Sequence, residues 1–178
     1  MRSEILPDGH AWLRIAEVGW RDPLDPTFAA VRGGRWNPPN SHRTLYLNED
    51  RTTARLNLRS FIAGWPYEPE DLRDESGPVL VGATLPARQQ VADAHSRAGI
   101  AALSLPRDYP LDEAGRLVTH AVCQPIGLAV KEAGLRGVRA RSARAPEGAG
   151  RELAWFPATA RSRAHVLGVE TFETWYWG

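Results

Sequence analysis

The sequence predicts one strand-rich α+β domain spanning residues 1–178. Six short apolar or partly alternating segments, broken by proline, glycine and acidic clusters, have strand character. Only two stretches carry helical spacing, one after residue 50 and one over 112–134. No repeat, low-complexity run or linker separates two cores.

Taken in order, HAWLRIAEV (10–18) sets Trp12, Arg14 and Ala16 against Leu13, Ile15 and Glu17. That pattern suits a strand with both faces partly buried. WRDPLDPTF is a proline-broken loop, and GGRWNPP is a turn leading to the short strand TLYLN around Tyr46. Asp50 or Thr52 can cap the helix that follows, with Ala54, Leu58, Phe61 and Ile62 on its buried face. Asn57 and Arg59 lie off the centre of that stripe, and Gly64 and Pro66 end it. EPEDLRDE (68–75) is a solvated loop, and PVLVGATLP (78–86) is a strand.

The segment 112–134 reads as one helix, or as two divided at Pro125, with Gly134 as its stop. LRGVRARSA is a strand ending near Ser142, APEGAG turns the chain, and RELAWFPA (151–158) and AHVLGVETFETWYW (164–177) are two more strands. Most of the seven tryptophans belong in the core, and Trp36, set among polar and loop-forming neighbours, is the expected exception.

Composition narrows the function. The 22 basic and 21 acidic residues leave a net charge of +1, which gives no electrostatic footprint for nucleic acid or an anionic membrane. Lys131 is the one lysine; every other basic residue is arginine, the better group for forked contacts to phosphate. The single Cys123 excludes an intramolecular disulfide, which makes a reducing cytoplasm the simplest compartment. The opening MRSEILPDGHAW lacks the apolar run of a signal peptide, and no stretch approaches the ~20 apolar residues of a membrane helix.

Several chemistries lack their signatures. His120 and Cys123 share a helical face, but no second cysteine or close histidine pair completes a metal site, so no metal is expected. Ser142 sits in RARSARAP and not in Gly-x-Ser-x-Gly, and Gly33–Gly34 lacks the rest of a P-loop or dinucleotide fingerprint. Six arginines between Arg139 and Arg163 could grip phosphate or form a solvated surface.

GGRWNPP, LYL, TARLN and the later GVRARSARAP, in this order and spacing, resemble the RES-domain family. That family is named for arginine, glutamate and serine, and contains toxins of RES–Xre toxin–antitoxin systems. The resemblance runs from WLR (12–14) to AWFP (154–157), and Gly-Arg-Trp-Asn-Pro is its most specific part. It implies an ADP-ribosyltransferase-like fold, with split β-sheets and a few flanking helices around an NAD cleft. It also implies cleavage of the nicotinamide–ribose bond of NAD as substrate, by hydrolysis or phosphorolysis, an Xre-like antitoxin partner, and often homo-oligomers. The family arginine falls on Arg35, its tyrosine on Tyr46, its serine on Ser142 and its first-strand arginine on Arg14, with Trp36 beside Arg35 in the cofactor-binding set. The family glutamate, eleven residues after the tyrosine, is here Asn57.

Cleaving this bond expels neutral nicotinamide and leaves positive charge on the ribose. Arg14 and Arg35 suit the pyrophosphate, Tyr46 the nicotinamide ring, and Ser142 a ribose or phosphate oxygen. Asn57 carries no charge. A hydrogen bond to a charged group is worth about 1.5–3 kcal/mol, against about 0.5–1.5 for a neutral pair. In the transition state the difference can reach about 3–4 kcal/mol. Asn57 therefore implies slower cleavage, a carboxylate from Glu49, Asp50 or Glu152, or an NAD- or nucleotide-binding protein without turnover. Transfer of ADP-ribose to a macromolecule uses the same cleft.

Overall fold

The computed structural model describes residues 1–145 and 149–178; part of the turn expected over APEGAG, residues 146–148, lies outside them. Strands β1 (Ser3–Ile5), β2 (Trp12–Ala16), β3 (Leu45–Asn48) and β4 (Val79–Thr84) are followed by β5 (Gln90–Ala94), β6 (Gly137–Arg141), β7 (Arg151–Trp155) and β8 (His165–Glu170). Helices are α1 (Thr27–Arg32), α2 (Arg51–Ile62), α3 (Arg97–Ala102), α4 (His120–Glu132) and α5 (Phe172–Trp177). The strands join in one mixed sheet, ordered β1-β5-β6-β7-β3-β2-β4-β8, in which β5–β6 is parallel and the other pairs are antiparallel. This is the α+β class expected from the sequence.

The sheet parts between β2 and β3. Those strands share the single register pair Leu13↔Asn48, whereas β2 follows β4 from Trp12↔Ala83 to Ala16↔Val79. Likewise, β3 follows β7 from Leu45↔Trp155 to Asn48↔Glu152. The parting is where the two limbs of a split sheet meet. An amide braces it: Asn48 Nδ2 donates to the Leu13 carbonyl at 3.3 Å.

Alternation along the strands sends side chains into separate cores. Leu45, Leu47, Leu153 and Trp155 pack with Trp12 and Val91, while Ala154, Val138 and Ala140 pack with Trp36, Tyr109 and Phe156. A third cluster joins Ala54, Leu58 and Ile62 of α2 to Phe172, Trp175 and Tyr176 of α5. No helix among the described residues is long and apolar enough to cross a membrane.

Several elements depart from the sequence expectation. Residues 112–119 are not helical; the Asp112 carboxylate accepts the Ala114 and Arg116 backbone N–H groups in a local turn, so α4 starts at His120. It then runs unbroken through Pro125. The expected terminal strand ends at Glu170, and α5 follows, because Phe172, Trp175 and Tyr176 share a helical face and are all buried. Phe61 is 63% exposed, while Ala54, Leu58 and Ile62 hold the buried stripe of α2. α1 occupies part of the segment read as loop, and β1, β5 and α3 are additional elements.

Candidate active site

The Gly-Arg-Trp-Asn loop is wired to the strand that follows it. Trp36 N–H donates to Tyr46 Oη at 2.9 Å, and that hydroxyl donates to Asn37 Oδ1 at 2.7 Å. Asn37, fully buried, donates from Nδ2 to the Ala29 carbonyl at 2.6 Å, and Gln124 Nε2 donates to the Gly34 carbonyl at 3.0 Å. A side chain at Gly34 has no room: its Cβ would stand 2.5 Å from Tyr46 Oη. The Tyr46 hydroxyl is thus committed to the loop, and burial pushes its pKa up, so the phenol stays neutral and its ring is what remains for a ligand.

Trp36 is 2% exposed and packs in the core near Tyr109, with ring centroids 6.0 Å apart. This overturns the expectation that it is the tryptophan outside the core: α4, distant in sequence, covers it, and a Cβ on Gly127 of that helix would collide with the Trp36 carbonyl. Trp20, Trp65 and Trp177 are the exposed ones.

At the parting of the sheet lies a hollow of about 220 Å³ lined by Arg14 and Ile15 of β2, Tyr46, Leu47 and Asn48 of β3, Asn57 of α2 and Glu152 of β7. Asp50 caps α2 by accepting the Thr53 N–H at 2.7 Å, and so sets the helix that carries Asn57. Asn57 Nδ2 donates to Asn48 Oδ1 at 2.5 Å and to Glu152 Oε1 at 3.0 Å. Ser142, fully buried at the end of β6, donates through Oγ to the same carboxylate oxygen.

Arg14 Nη1 is buried and meets no hydrogen-bond partner among the described residues. Burial lowers the pKa of this guanidinium to about 10, with Asp25 and Asp22 acting the other way, so it stays charged at neutral pH. A charged, half-buried and partly unpaired group at the edge of a hollow is suited to an anion.

Arg14, Tyr46 and Asn57 therefore share one hollow, and Ser142 reaches it through Glu152. Arg35 and Trp36 are not among its lining residues. The Arg35 guanidinium turns toward the start of α4, donating to the Val118 carbonyl at 2.7 Å and lying 3.9 Å from Cys123 Sγ. Its charge still acts on Tyr46. Burial raises the Cys123 pKa and lowers that of His120, which disfavours a thiolate–imidazolium couple here.

Of the other carboxylates considered, Glu49 is paired with Arg139 through two hydrogen bonds of 2.9 and 2.5 Å, and Asp50 is the α2 cap. Arg139 also meets Glu4, and Arg141 donates to the His95 and Tyr109 carbonyls. Part of the arginine-rich run is thus structural. A second hollow, about 390 Å³, lies at the end of α2 between Arg59, Ala63, Glu68, Pro69 and Glu70. Its arginine is already engaged by Tyr176 Oη at 2.6 Å, which leaves the sheet parting as the better-equipped site.

Among the described residues, the mixed sheet of this α+β domain parts around the hollow that holds Arg14, Tyr46 and Asn57. The RES domain family matches residues 11–176, and the chain belongs to that family. Its fold is similar to a chain in the crystal structure of the M. tuberculosis MbcT–MbcA toxin–antitoxin complex, with a TM-score of 0.74 at 18% identity over 95% of this chain and 90% of that one. No curated protein matches the chain.

Proposed function

We propose that this protein is an NAD-degrading enzyme of the RES toxin type that cleaves the nicotinamide–ribose bond. The observation that carries this reading is the meeting of the Arg14 guanidinium, the Tyr46 ring and Asn57 in one hollow at the parting of the sheet. Arg14 would hold a pyrophosphate oxygen, relieving a desolvated charge. The Tyr46 ring would set the nicotinamide plane, and Ser142 would fix the polar group that meets the ribose. Arg35 acts here from the second row, holding the 118–123 segment against Tyr46 and adding positive charge to the cleft.

Bond cleavage sends the electron pair of the C1′–N bond to nicotinamide; water or inorganic phosphate then supplies the oxygen that bonds to C1′. Membership in the family supports two further parts of the reading: an Xre-like antitoxin that covers the cleft, and action in the cytoplasm. The neutral Asn57 favours a second reading, an NAD-binding homologue with weak turnover or none.

Chromatography of the purified protein with NAD separates the two. Nicotinamide appearing in step with NAD loss is the expected result. Its absence, where a control NAD glycohydrolase works, refutes the enzymatic reading and leaves the binder. Addition of phosphate then tells hydrolysis from phosphorolysis by the ADP-ribose product.

A further inference from the structure

The resemblance places an acid on α2, where this chain has Asn57. The hollow nonetheless contains one carboxylate, and it arrives from another element. Glu152 stands opposite Asn48 in the β3–β7 register and opposite Ala140 in the β6–β7 register. The first pairing sets it beside Asn48, and the second brings Ser142, two residues beyond Ala140, onto the same side. Among the residues lining the hollow, Glu152 is the only acid.

Its two oxygens are not equivalent. Oε1 accepts from both Asn57 Nδ2 and Ser142 Oγ, which fixes the carboxylate plane. Oε2 accepts from no described residue. Asn57 is a donor in this arrangement, and an amide can do what a carboxylate at that position could not: approach a second carboxylate without repulsion. Glu49 and Asp50 are spent on Arg139 and on the α2 cap.

We infer that Glu152 is the catalytic carboxylate of this site, supplied from β7 in place of α2, with Asn57 and Ser142 as its positioning residues. This rests on the NAD-cleaving reading and names the group that reading lacks. As the C1′–N bond breaks and its electron pair leaves with nicotinamide, C1′ and the ring oxygen share a positive charge. Glu152 Oε2 faces that charge and accepts a ribose hydroxyl. The oxygen of water then bonds to C1′ and its proton passes to solvent, so NAD and water give nicotinamide, ADP-ribose and a proton.

The test compares wild type, Glu152→Gln and the double variant Asn57→Glu/Glu152→Gln for nicotinamide release, with NAD binding by calorimetry and melting temperature alongside. Glu152→Gln is expected to lose a few hundred-fold in release while keeping NAD affinity and melting temperature. The double variant, which keeps one acid and one amide in contact with their places exchanged, is expected to recover release to within about tenfold of wild type. Release by Glu152→Gln close to the wild-type rate overturns the assignment and leaves the NAD-cleaving reading intact. A parallel loss of binding and melting temperature overturns it as well, because that marks a structural role. If Glu152→Gln does not fold, the double variant decides: release near wild type supports the assignment, and none refutes it. No release by wild type removes the NAD-cleaving reading and this assignment together.

Discussion

The Arg14 guanidinium carbon stands 5.6 Å from the centroid of the Trp20 ring, while its buried Nη1 has no hydrogen-bond partner among the described residues. A cation–π contact offsets part of the desolvation of this charge but satisfies no N–H group. The protein holds the group in a condition that a bound anion would improve.

Arg14→Met is therefore expected to separate stability from function. The guanidinium pKa is lowered by burial to about 10, so its charge costs stability at every pH below that value. A neutral side chain of similar length removes the cost. The melting temperature should rise by a few degrees, about 1 kcal/mol. NAD binding, followed by calorimetry, should fall by at least about tenfold.

Tyr46→Phe tests the brace under the loop. It removes the acceptor of the Trp36 N–H and the donor to Asn37 Oδ1, leaving two buried polar groups unpaired. The expected loss is about 1–3 kcal/mol in denaturant unfolding. Since the ring remains, NAD affinity should change less than it does in Tyr46→Ala. Gly34→Ala should act in the same direction as Tyr46→Phe, because its Cβ would collide with the Tyr46 hydroxyl.

His42 sets an acid dependence of stability. Its ring lies 4.4 Å, edge-on, from Phe156, its Nε2 has no hydrogen-bond partner among the described residues, and burial, with the Lys131 charge as the smaller cause, lowers its pKa to about 4. Between pH 6.5 and about 4 the unfolded chain binds a proton that the folded chain does not, so stability falls on acidification through that window. Solvent screening of the half-exposed ring limits the effect to on the order of 1 kcal/mol. His42→Phe should flatten the dependence of the melting temperature between those two pH values.

Much of the candidate site was legible because its parts are close in sequence or carried on regular elements. Tyr46 in a short strand and Asn57 in the helix capped by Asp50 reach the same hollow, as their spacing allows. Glu152 could be named as a candidate, but only the β3–β7 register shows why it, and not Glu49, faces Asn57. Arg35 was legible as a member of the loop and not as a side chain turned to Val118, 83 positions away. Trp36 misled because its neighbours in sequence are polar while its neighbours in space belong to α4. β5 (QVADA) lacks the run of β-branched residues that announces a strand, and it holds its place between β1 and β6 by pairing. The helical spacing of Phe172, Trp175 and Tyr176 was present in the sequence, but the adjacent HVLGVE run carries a stronger strand pattern.

A crystal structure of Glu152→Gln with NAD bound tests the central claim most directly. The pyrophosphate is expected at Arg14, the nicotinamide ring against Tyr46, and the ribose C1′ within roughly 4 Å of the side chain at position 152. NAD lodged instead between Arg59 and Glu70, or a sheet parting that stays empty at saturating NAD, would contradict it.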